Sequence, residues 1–196
     1  MEGGLPLRER RMKTPLSEEE ILSLRSGDFV MLSGIVFTAR DVAHRRLIDL
    51  IGQGRPLPFD PKGQVIYYAG PCPTPPGKVI GSIGPTTSGR MDPFTPQLLA
   101  LGIKGTIGKG KRSKEVKEAL IRHKAVYFAT IGGAGAILSR YVKRASIIAF
   151  EDLGPEAITE LEVEDFPLVV INDAYGGDLY EGHRFQLPLD DKGDPQ

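Results

Sequence analysis

The segment of the chain most suited to chemistry is residues 84–92, GPTTSGRMD, where two glycines bracket Thr86, Thr87 and Ser88. Glycine lets the backbone approach a ligand closely, and the three hydroxyls can donate or accept hydrogen bonds. Arg90 can bind a carboxylate or a phosphate through two parallel hydrogen bonds. The segment therefore suits an anion site, although a plain surface turn with a helix cap explains the same residues about equally well.

A second group of polar side chains lies in residues 38–44, TARDVAH. Arg40 lies where a predicted strand passes into a predicted helix, and His44 shares a helix face with it because the two are four residues apart. His44 has the chemistry of a proton donor, an orienting group or an anion contact. A histidine that is satisfied between helices is the more common outcome for such a position.

Two glycine-rich turns complete the set of candidate anion-binding segments. Residues 105–112, GTIGKGKR, do not match the spacing of a phosphate-binding P-loop. Lys109 lies between two glycines and can present its ammonium group to an anion, but a solvated basic turn is the usual result. Residues 132–135, GGAG, lie between a predicted strand and a helix without the GxGxxG pattern, so nucleotide binding is weakly supported.

Composition limits the classes of protein that can apply. The 196 residues include 25 basic and 25 acidic side chains, and this balance argues against broad binding of nucleic acid or membrane surfaces. No apolar run reaches the roughly 20 residues that span a bilayer, and the charged N-terminus lacks the apolar stretch of a signal peptide. We therefore expect a cytoplasmic protein. Cys72 is the single cysteine, which excludes an internal disulfide and an iron–sulfur cluster built from this chain alone.

The hydrophobic pattern predicts the elements that must position these segments. Strands are predicted at about residues 28–38, 64–69, 104–107, 125–131, 146–150 and 167–171, and helices at about 17–26, 40–51, 93–101, 113–123 and 136–143. The second half alternates strand and helix, which favours a layered α/β domain with some parallel pairing. Proline-rich loops in the first half favour a mixed sheet.

The predicted domain covers residues 14–185, between a flexible arm at 1–13 and a polar tail at 186–196. Ser17 and Glu20 have the spacing of a capping box at the start of the first helix. Ser113 is a second predicted helix cap. If a helix began near Met91, its free N–H groups would add to the anion site at 84–92.

The three segments TARDVAH, GPTTSGRMD and GTIGKGK, taken together and in this order, resemble the β-type domain of class I iron–sulfur fumarate hydratases and L-tartrate dehydratases. The resemblance covers about residues 16–180. It implies a swivelling β/β/α domain, in agreement with the layered α/β prediction. It also implies reversible addition of water across the C=C bond of a C4 dicarboxylate.

The resemblance further implies a [4Fe–4S] cluster held by three cysteines of an α-type domain, either on the same polypeptide or on a separate subunit. This chain would be the β subunit of a hetero-oligomer, with a homodimer as the alternative for the isolated chain, and with no nucleic-acid or membrane partner. Fumarate and malate are the favoured substrates, and an L-tartrate dehydratase β subunit is the alternative. A non-catalytic anion-binding or regulatory module is the alternative from a different class.

The resemblance also assigns roles to residues. Arg40 and Arg90 would bind substrate carboxylates with help from Lys109 and Thr87, and Thr86 would transfer the proton. Thr86, Arg90 and Lys109 are therefore the predicted catalytic residues. A threonine is a poor base in water, so a neighbouring group, which the partner can supply, must activate it. The supporting positions are Asp41, His44, Ser88, Gly89 and Asp92.

Overall fold

The structure is a computed structural model that describes residues 9–130 and 132–182. Its strands are β1 (Glu9–Lys13), β2 (Phe29–Thr38), β3 (Val65–Tyr67), β4 (Gly105–Gly108), β5 (Val126–Ala129), β6 (Val142–Ala149) and β7 (Ile158–Asn172). The α-helices are α1 (Glu18–Ser23), α2 (Asp41–Gly52), α3 (Thr95–Ala100), α4 (Lys114–His123) and α5 (Gly135–Leu138). Short 3₁₀ segments occur at Ser88–Met91, Ser139–Tyr141, Glu151–Glu156 and Leu179–Glu181. None of the helices in these ranges has the length and apolar character to cross a bilayer.

The strands form one mixed sheet whose pairing closes on itself. Strands β1 and β3 pair in parallel with β2, and the parallel series continues from β3 to β4 and β5. Strand β7 runs antiparallel to β5, β6 and β2. Because β7 pairs with both β5 and β2, the strands β2, β3, β4, β5 and β7 form a closed ring. The predicted α/β class with a mixed sheet is confirmed, while swivelling of the domain stays a prediction.

Successive side chains of these strands point to opposite faces, so the ring separates two hydrophobic cores. One core joins the strands to each other and to α1 and α5, and includes Val30, Leu32, Val36, Tyr67, Phe128, Leu161 and Phe166. The other packs the strands against α2, α3 and α4, and includes Phe37, Leu47, Ile66, Leu98, Leu120 and Tyr127. Helices α2, α3 and α4 thus cover one face of the sheet, and the start of α2 is held at its edge.

The two predicted helix caps are confirmed. The Ser17 hydroxyl accepts a hydrogen bond from the Glu20 amide, and the Glu20 carboxylate accepts one from the Ser17 amide. Ser113 accepts from the Val116 amide at the start of α4. The predicted helix at about 93–101 is confirmed as α3, and no α-helix begins near Met91. Residues Ser88–Met91 form a 3₁₀ turn, and α3 begins only at Thr95, where a proline occupies its first turn.

Three strands differ from their predictions, and one of them, β6, begins at Val142, four residues before the predicted strand at 146–150 and within the predicted helix at 136–143. The predicted flexible arm extends to residue 13, but Glu9–Lys13 pairs in parallel with β2, and only Met12 of that strand is buried. Charged side chains on an edge strand leave no apolar alternation to detect. Strand β7 begins at Ile158, nine residues before the predicted strand at 167–171. The remainder of the arm, residues 1–8, and the predicted tail at 186–196 lie outside the described residues.

Candidate active site

The segment that carries Thr86 is hydrogen-bonded between the ends of β3 and β4. The Thr86 amide donates to the Tyr68 carbonyl at 2.6 Å, and the Lys109 amide donates to the Thr86 carbonyl at 3.3 Å. The Ser88 amide in turn donates to the Lys109 carbonyl at 2.9 Å, and Thr87 forms a parallel bridge with Lys109. The structure therefore places the predicted hydroxyl segment and the predicted lysine side by side, in a fixed backbone register.

The three consecutive hydroxyls have different environments. Thr87 is exposed and Thr86 is half-buried, whereas Ser88 is fully buried and its hydroxyl lies 3.0 Å from the Tyr127 hydroxyl. A Cβ atom on Gly108 would lie 2.0 Å from Ser88 Oγ, so β4 and this segment approach closely only because position 108 is glycine. Ser88 is thus a packing anchor, and Thr86 and Thr87 remain as the hydroxyls that can reach a ligand.

Arg90 projects from the 3₁₀ turn and pairs with Asp41, the first residue of α2. Arg90 Nε lies 2.8 Å from Asp41 Oδ1, and Nη2 donates to the other oxygen of the same carboxylate. Hydrogen bonding to Arg90 lowers the pKa of the Asp41 carboxyl, and the same contact raises the pKa of Arg90. The Arg90 side chain keeps 48% of its surface exposed. This pair brings the segments TARDVAH and GPTTSGRMD into direct contact.

Arg40 immediately precedes α2, beside a carboxylate that the sequence did not point to. Its Nη2 lies 3.7 Å from Glu156 Oε1, while Glu156 Oε2 accepts a hydrogen bond from the Val42 amide at 3.0 Å. Arg40 Nε is buried without a hydrogen-bond partner among the described residues. Glu156 follows a glycine and a proline in a segment with no motif, so its approach to Arg40 depends on tertiary structure alone.

His44 lies in the core rather than at the surface of the site. It is fully buried, and its ring packs against Tyr68 with 5.4 Å between the centroids. Nδ1 lies 2.8 Å from the Arg40 carbonyl, which only accepts hydrogen bonds, so Nδ1 carries the proton. Burial lowers the pKa of His44 to about 4. His44 therefore orients the start of α2 as a neutral ring, and the proton-donor role considered for it is not supported.

Arg112 is a structural residue of the site that the sequence analysis did not assign. Its side chain is fully buried, and its Nε donates to Asp92 Oδ1 at 2.7 Å. The guanidinium also donates to the hydroxyls of Thr95, Thr106 and Tyr68, and it lies over the rings of Tyr68 and Tyr127. Asp92 accepts a second hydrogen bond, from the Ser113 amide at 2.7 Å. Asp92 is thus committed to internal contacts.

The remaining predicted positions lie on the same edge. Gly89 is exposed in the 3₁₀ turn, and Lys109 is exposed next to Gly132. The GGAG turn packs against the start of the hydroxyl segment, because the Ile83 amide donates to the Gly135 carbonyl at 3.1 Å. The edge therefore presents two guanidinium groups, an ammonium group and two hydroxyls. These groups suit a dianionic ligand.

A metal cluster does not fit the described part of this chain. Within residues 9–130 and 132–182, no group of three or more His, Cys, Asp or Glu side chains is arranged to hold a metal ion. Cys72 is exposed, and the whole chain has no other cysteine. An iron–sulfur cluster needs several thiolates, so its ligands would have to come from another chain or domain.

The fold and the site define an α/β domain with a cationic, hydroxyl-bearing edge, and comparison with known proteins gives its family. The model of the family described as Fumarase C-terminus matches residues 6–183, and the chain belongs to this family. The resemblance stated from the three sequence segments is thereby confirmed.

Relatives of two lengths match the chain. It is 40% identical over 173 residues to fumarate hydratase 2 of Leishmania major. This alignment covers 86% of this chain and 30% of the relative. The chain is 42% identical over 154 residues to the anaerobic class I fumarate hydratase of Escherichia coli, covering 76% and 28% respectively. A Methanocaldococcus jannaschii protein with the provisional name L(+)-tartrate dehydratase subunit beta is 40% identical over 172 residues, covering 85% and 88%. The chain thus spans less than a third of the two fumarate hydratases but most of the third relative.

Proposed function

We propose that this chain is the β part of a fumarase-type hydro-lyase that reversibly hydrates fumarate to malate in the cytoplasm. One observation carries the proposal. The Arg90–Asp41 pair and the Thr86–Lys109 backbone contact bring three separate segments to one edge of the sheet. These segments supply the cations and the hydroxyl that hydration of a dicarboxylate requires, in a member of the Fumarase C-terminus family.

The electrostatics of the reaction fit these side chains. A C4 dicarboxylate carries two negative charges, which guanidinium groups bind with matched geometry. Removal of a proton next to a carboxylate builds further negative charge on that carboxylate. Arg90 and Lys109 would therefore stabilise the transition state more than the bound substrate, while Arg40 would bind a substrate carboxylate in both states. In this proposal Thr87 assists substrate binding.

Thr86 is proposed to transfer the proton at the substrate carbon. The amide and the carbonyl of Thr86 both form backbone hydrogen bonds. These bonds fix the position from which its side chain projects at the edge of the sheet. A hydroxyl at its ordinary pKa is a weak base and needs a partner group to activate it. We propose that the α-type partner supplies this group when the two parts assemble.

The active site of this hydro-lyase is divided between two parts. The [4Fe–4S] cluster of the α part supplies Lewis-acid chemistry when bound, and this chain supplies carboxylate binding and proton transfer. The M. jannaschii relative supports a β-subunit role, because its name describes a subunit beta and the match covers 88% of its length. The provisional name of that relative also makes L-tartrate the alternative substrate.

Co-expression with the α-type partner under anaerobic conditions tests the proposal. We expect the complex to form fumarate from malate, and we expect the chain purified alone to hold no stoichiometric iron and to show no hydratase activity. Stoichiometric cluster iron or activity in the lone chain would contradict the divided site. Activity on tartrate alone would replace the substrate. A partner-bound chain that binds dicarboxylates without turnover would instead favour a non-catalytic module.

A further inference from the structure

Glu156 connects the start of helix α2 to a segment that is distant in sequence. It ends the 3₁₀ segment Glu151–Glu156, and one of its carboxylate oxygens accepts the Val42 amide at 3.0 Å. The other oxygen lies 3.7 Å from Arg40 Nη2. A negative charge at a helix N-terminus is favourable in itself. Here the same charge also faces the guanidinium of a proposed substrate-binding residue.

The Arg40 side chain lies in a slot that leaves it few alternative positions. A Cβ atom on Gly70 would lie 3.1 Å from Arg40 Cδ and 3.2 Å from Nη1, so position 70 has room only for a hydrogen. The same Cβ would lie 2.6 Å from the Pro155 carbonyl oxygen, so the segment before Glu156 forms part of the same wall. The slot and Glu156 together fix the direction of the guanidinium.

The residues that the structure describes do not saturate the hydrogen-bond donors of Arg40. Nε is buried without a partner among the described residues, and the contact with Glu156 is a single long one rather than a bidentate pair. A buried donor that lacks a partner is costly, so such a group is suited to donate a hydrogen bond to a ligand. Arg90 differs, because Asp41 engages it through two nitrogens.

We propose that Glu156 is a positioning residue of the hydro-lyase, acting through Arg40 on a substrate carboxylate. The inference rests on the proposed function. A flexible arginine loses rotamer freedom when it binds an anion, and a carboxylate that holds it beforehand reduces this loss. The contribution therefore falls on substrate binding, and a change at Glu156 should alter KM much more than kcat.

A neighbouring ion pair provides a matched control. Arg46 of α2 forms a bidentate pair with Asp152 of the same 3₁₀ segment, at 2.7 Å from Nη1 to Oδ1. This pair joins the same two elements as Glu156 but does not touch Arg40. If anchoring of the segment to α2 were the whole role of Glu156, loss of the Asp152 charge would have the same effect.

The test uses the complex with the α-type partner and compares Glu156→Gln with Asp152→Asn. Glutamine keeps an oxygen to accept the Val42 amide and loses the charge that faces Arg40. We expect KM for malate to rise about tenfold in Glu156→Gln, as the loss of one charged contact implies, with kcat and the unfolding midpoint little changed. We expect Asp152→Asn to keep the KM of the unmodified complex.

A double-mutant cycle makes the test independent of folding effects. In an Arg40→Lys background, Glu156→Gln should add little to the rise in KM, because coupled residues are non-additive. Unchanged KM in Glu156→Gln, an equal rise in Asp152→Asn, or additive effects in the cycle would each overturn the inference while leaving the hydro-lyase intact. An unmodified complex without activity on malate or tartrate would instead overturn the proposed function, and the inference with it.

Discussion

Arg112 and Asp92 form a buried ion pair, with Nε 2.7 Å from Oδ1, that joins the two anion-binding segments of this chain. Asp92 ends the segment that carries Thr86 and Arg90, and Arg112 follows Lys109 by three residues. A fully buried arginine and a largely buried aspartate therefore fix the spacing between the exposed cations of the site.

We expect Arg112→Met to lower the free energy of unfolding by about 3–5 kcal/mol, because it leaves Asp92 without its buried partner. Arg122→Met is the control. Arg122 lies in α4, the helix that follows Arg112, and its side chain is exposed. The control should change stability by less than about 0.5 kcal/mol. Urea unfolding of the two variants measures the difference, and equal stabilities would contradict a structural role for Arg112.

Arg90→Ala should reduce kcat/KM of the complex about 10²–10³-fold, as expected for a preorganised charge aimed at the transition state. The fold should persist, because an exposed ion pair contributes only about 0–1 kcal/mol to stability. Arg46→Ala provides the comparison, since it removes a similar bidentate pair from the same region. Steady-state turnover and the unfolding midpoint should be measured together. Normal turnover in Arg90→Ala would remove this residue from the site.

His44 should make stability depend on pH between 6.5 and about 4. The folded protein has a His44 pKa of about 4 because the ring is buried, while the unfolded chain has the ordinary value near 6.5. Between these values the unfolded state binds the extra proton, so stability falls as the pH falls, by up to about 1.4 kcal/mol per pH unit.

The comparison for His44 is His44→Asn, whose amide nitrogen can still donate to the Arg40 carbonyl. Carboxyl groups titrate in both proteins, so the difference between their unfolding free energies isolates the histidine. We expect that difference to shrink on acidification from pH 6.5 to 4. Parallel pH profiles for the two proteins would show that His44 titrates normally in the folded state.

Gly108→Ala should lower the free energy of unfolding by about 1–3 kcal/mol, because the new methyl group overlaps Ser88 Oγ. Combining it with Ser88→Ala removes that oxygen, so the double variant should lose less stability than the two single changes predict together. Gly52→Ala is the control, since a Cβ there meets nothing within 4 Å. Chemical denaturation of the unmodified protein and the four variants, including Ser88→Ala alone, gives the result. Additive losses would show that the contact with Ser88 is not what constrains position 108.

Local sequence signals predicted much of the scaffold. The Ser17 and Ser113 caps, the strand that leads into TARDVAH and the basic turn after β4 depend on neighbouring residues, and each lies where the sequence analysis placed it. The anion-binding segments could be selected for the same reason. Their hydroxyls, guanidiniums and glycines are close together in the chain.

What the sequence did not predict depends on distant partners. In β7, three glutamates alternate with Leu161 and Val163, which is a pattern typical of a half-exposed strand. The predicted strand covered only the less polar run at 167–171 that follows them. Strand β1 carries no apolar pattern and is defined by its pairing with β2. Glu156 and Arg112 have no motif, and their roles follow from contacts that exist only after the chain has folded.

Closure of the strand ring by β7 has a consequence for how the molecule assembles. Strand β2 pairs with β7 across most of the sequence, aligning Phe29 with Val169 and Phe37 with Glu160. Long-range pairing of this kind loses chain entropy on loop closure before the new contacts can offset the loss. This entropy loss slows folding. During synthesis the ring cannot close until Asn172 has left the ribosome. The ring that carries the anion-binding edge is therefore completed late, even though the motifs of that edge are translated earlier.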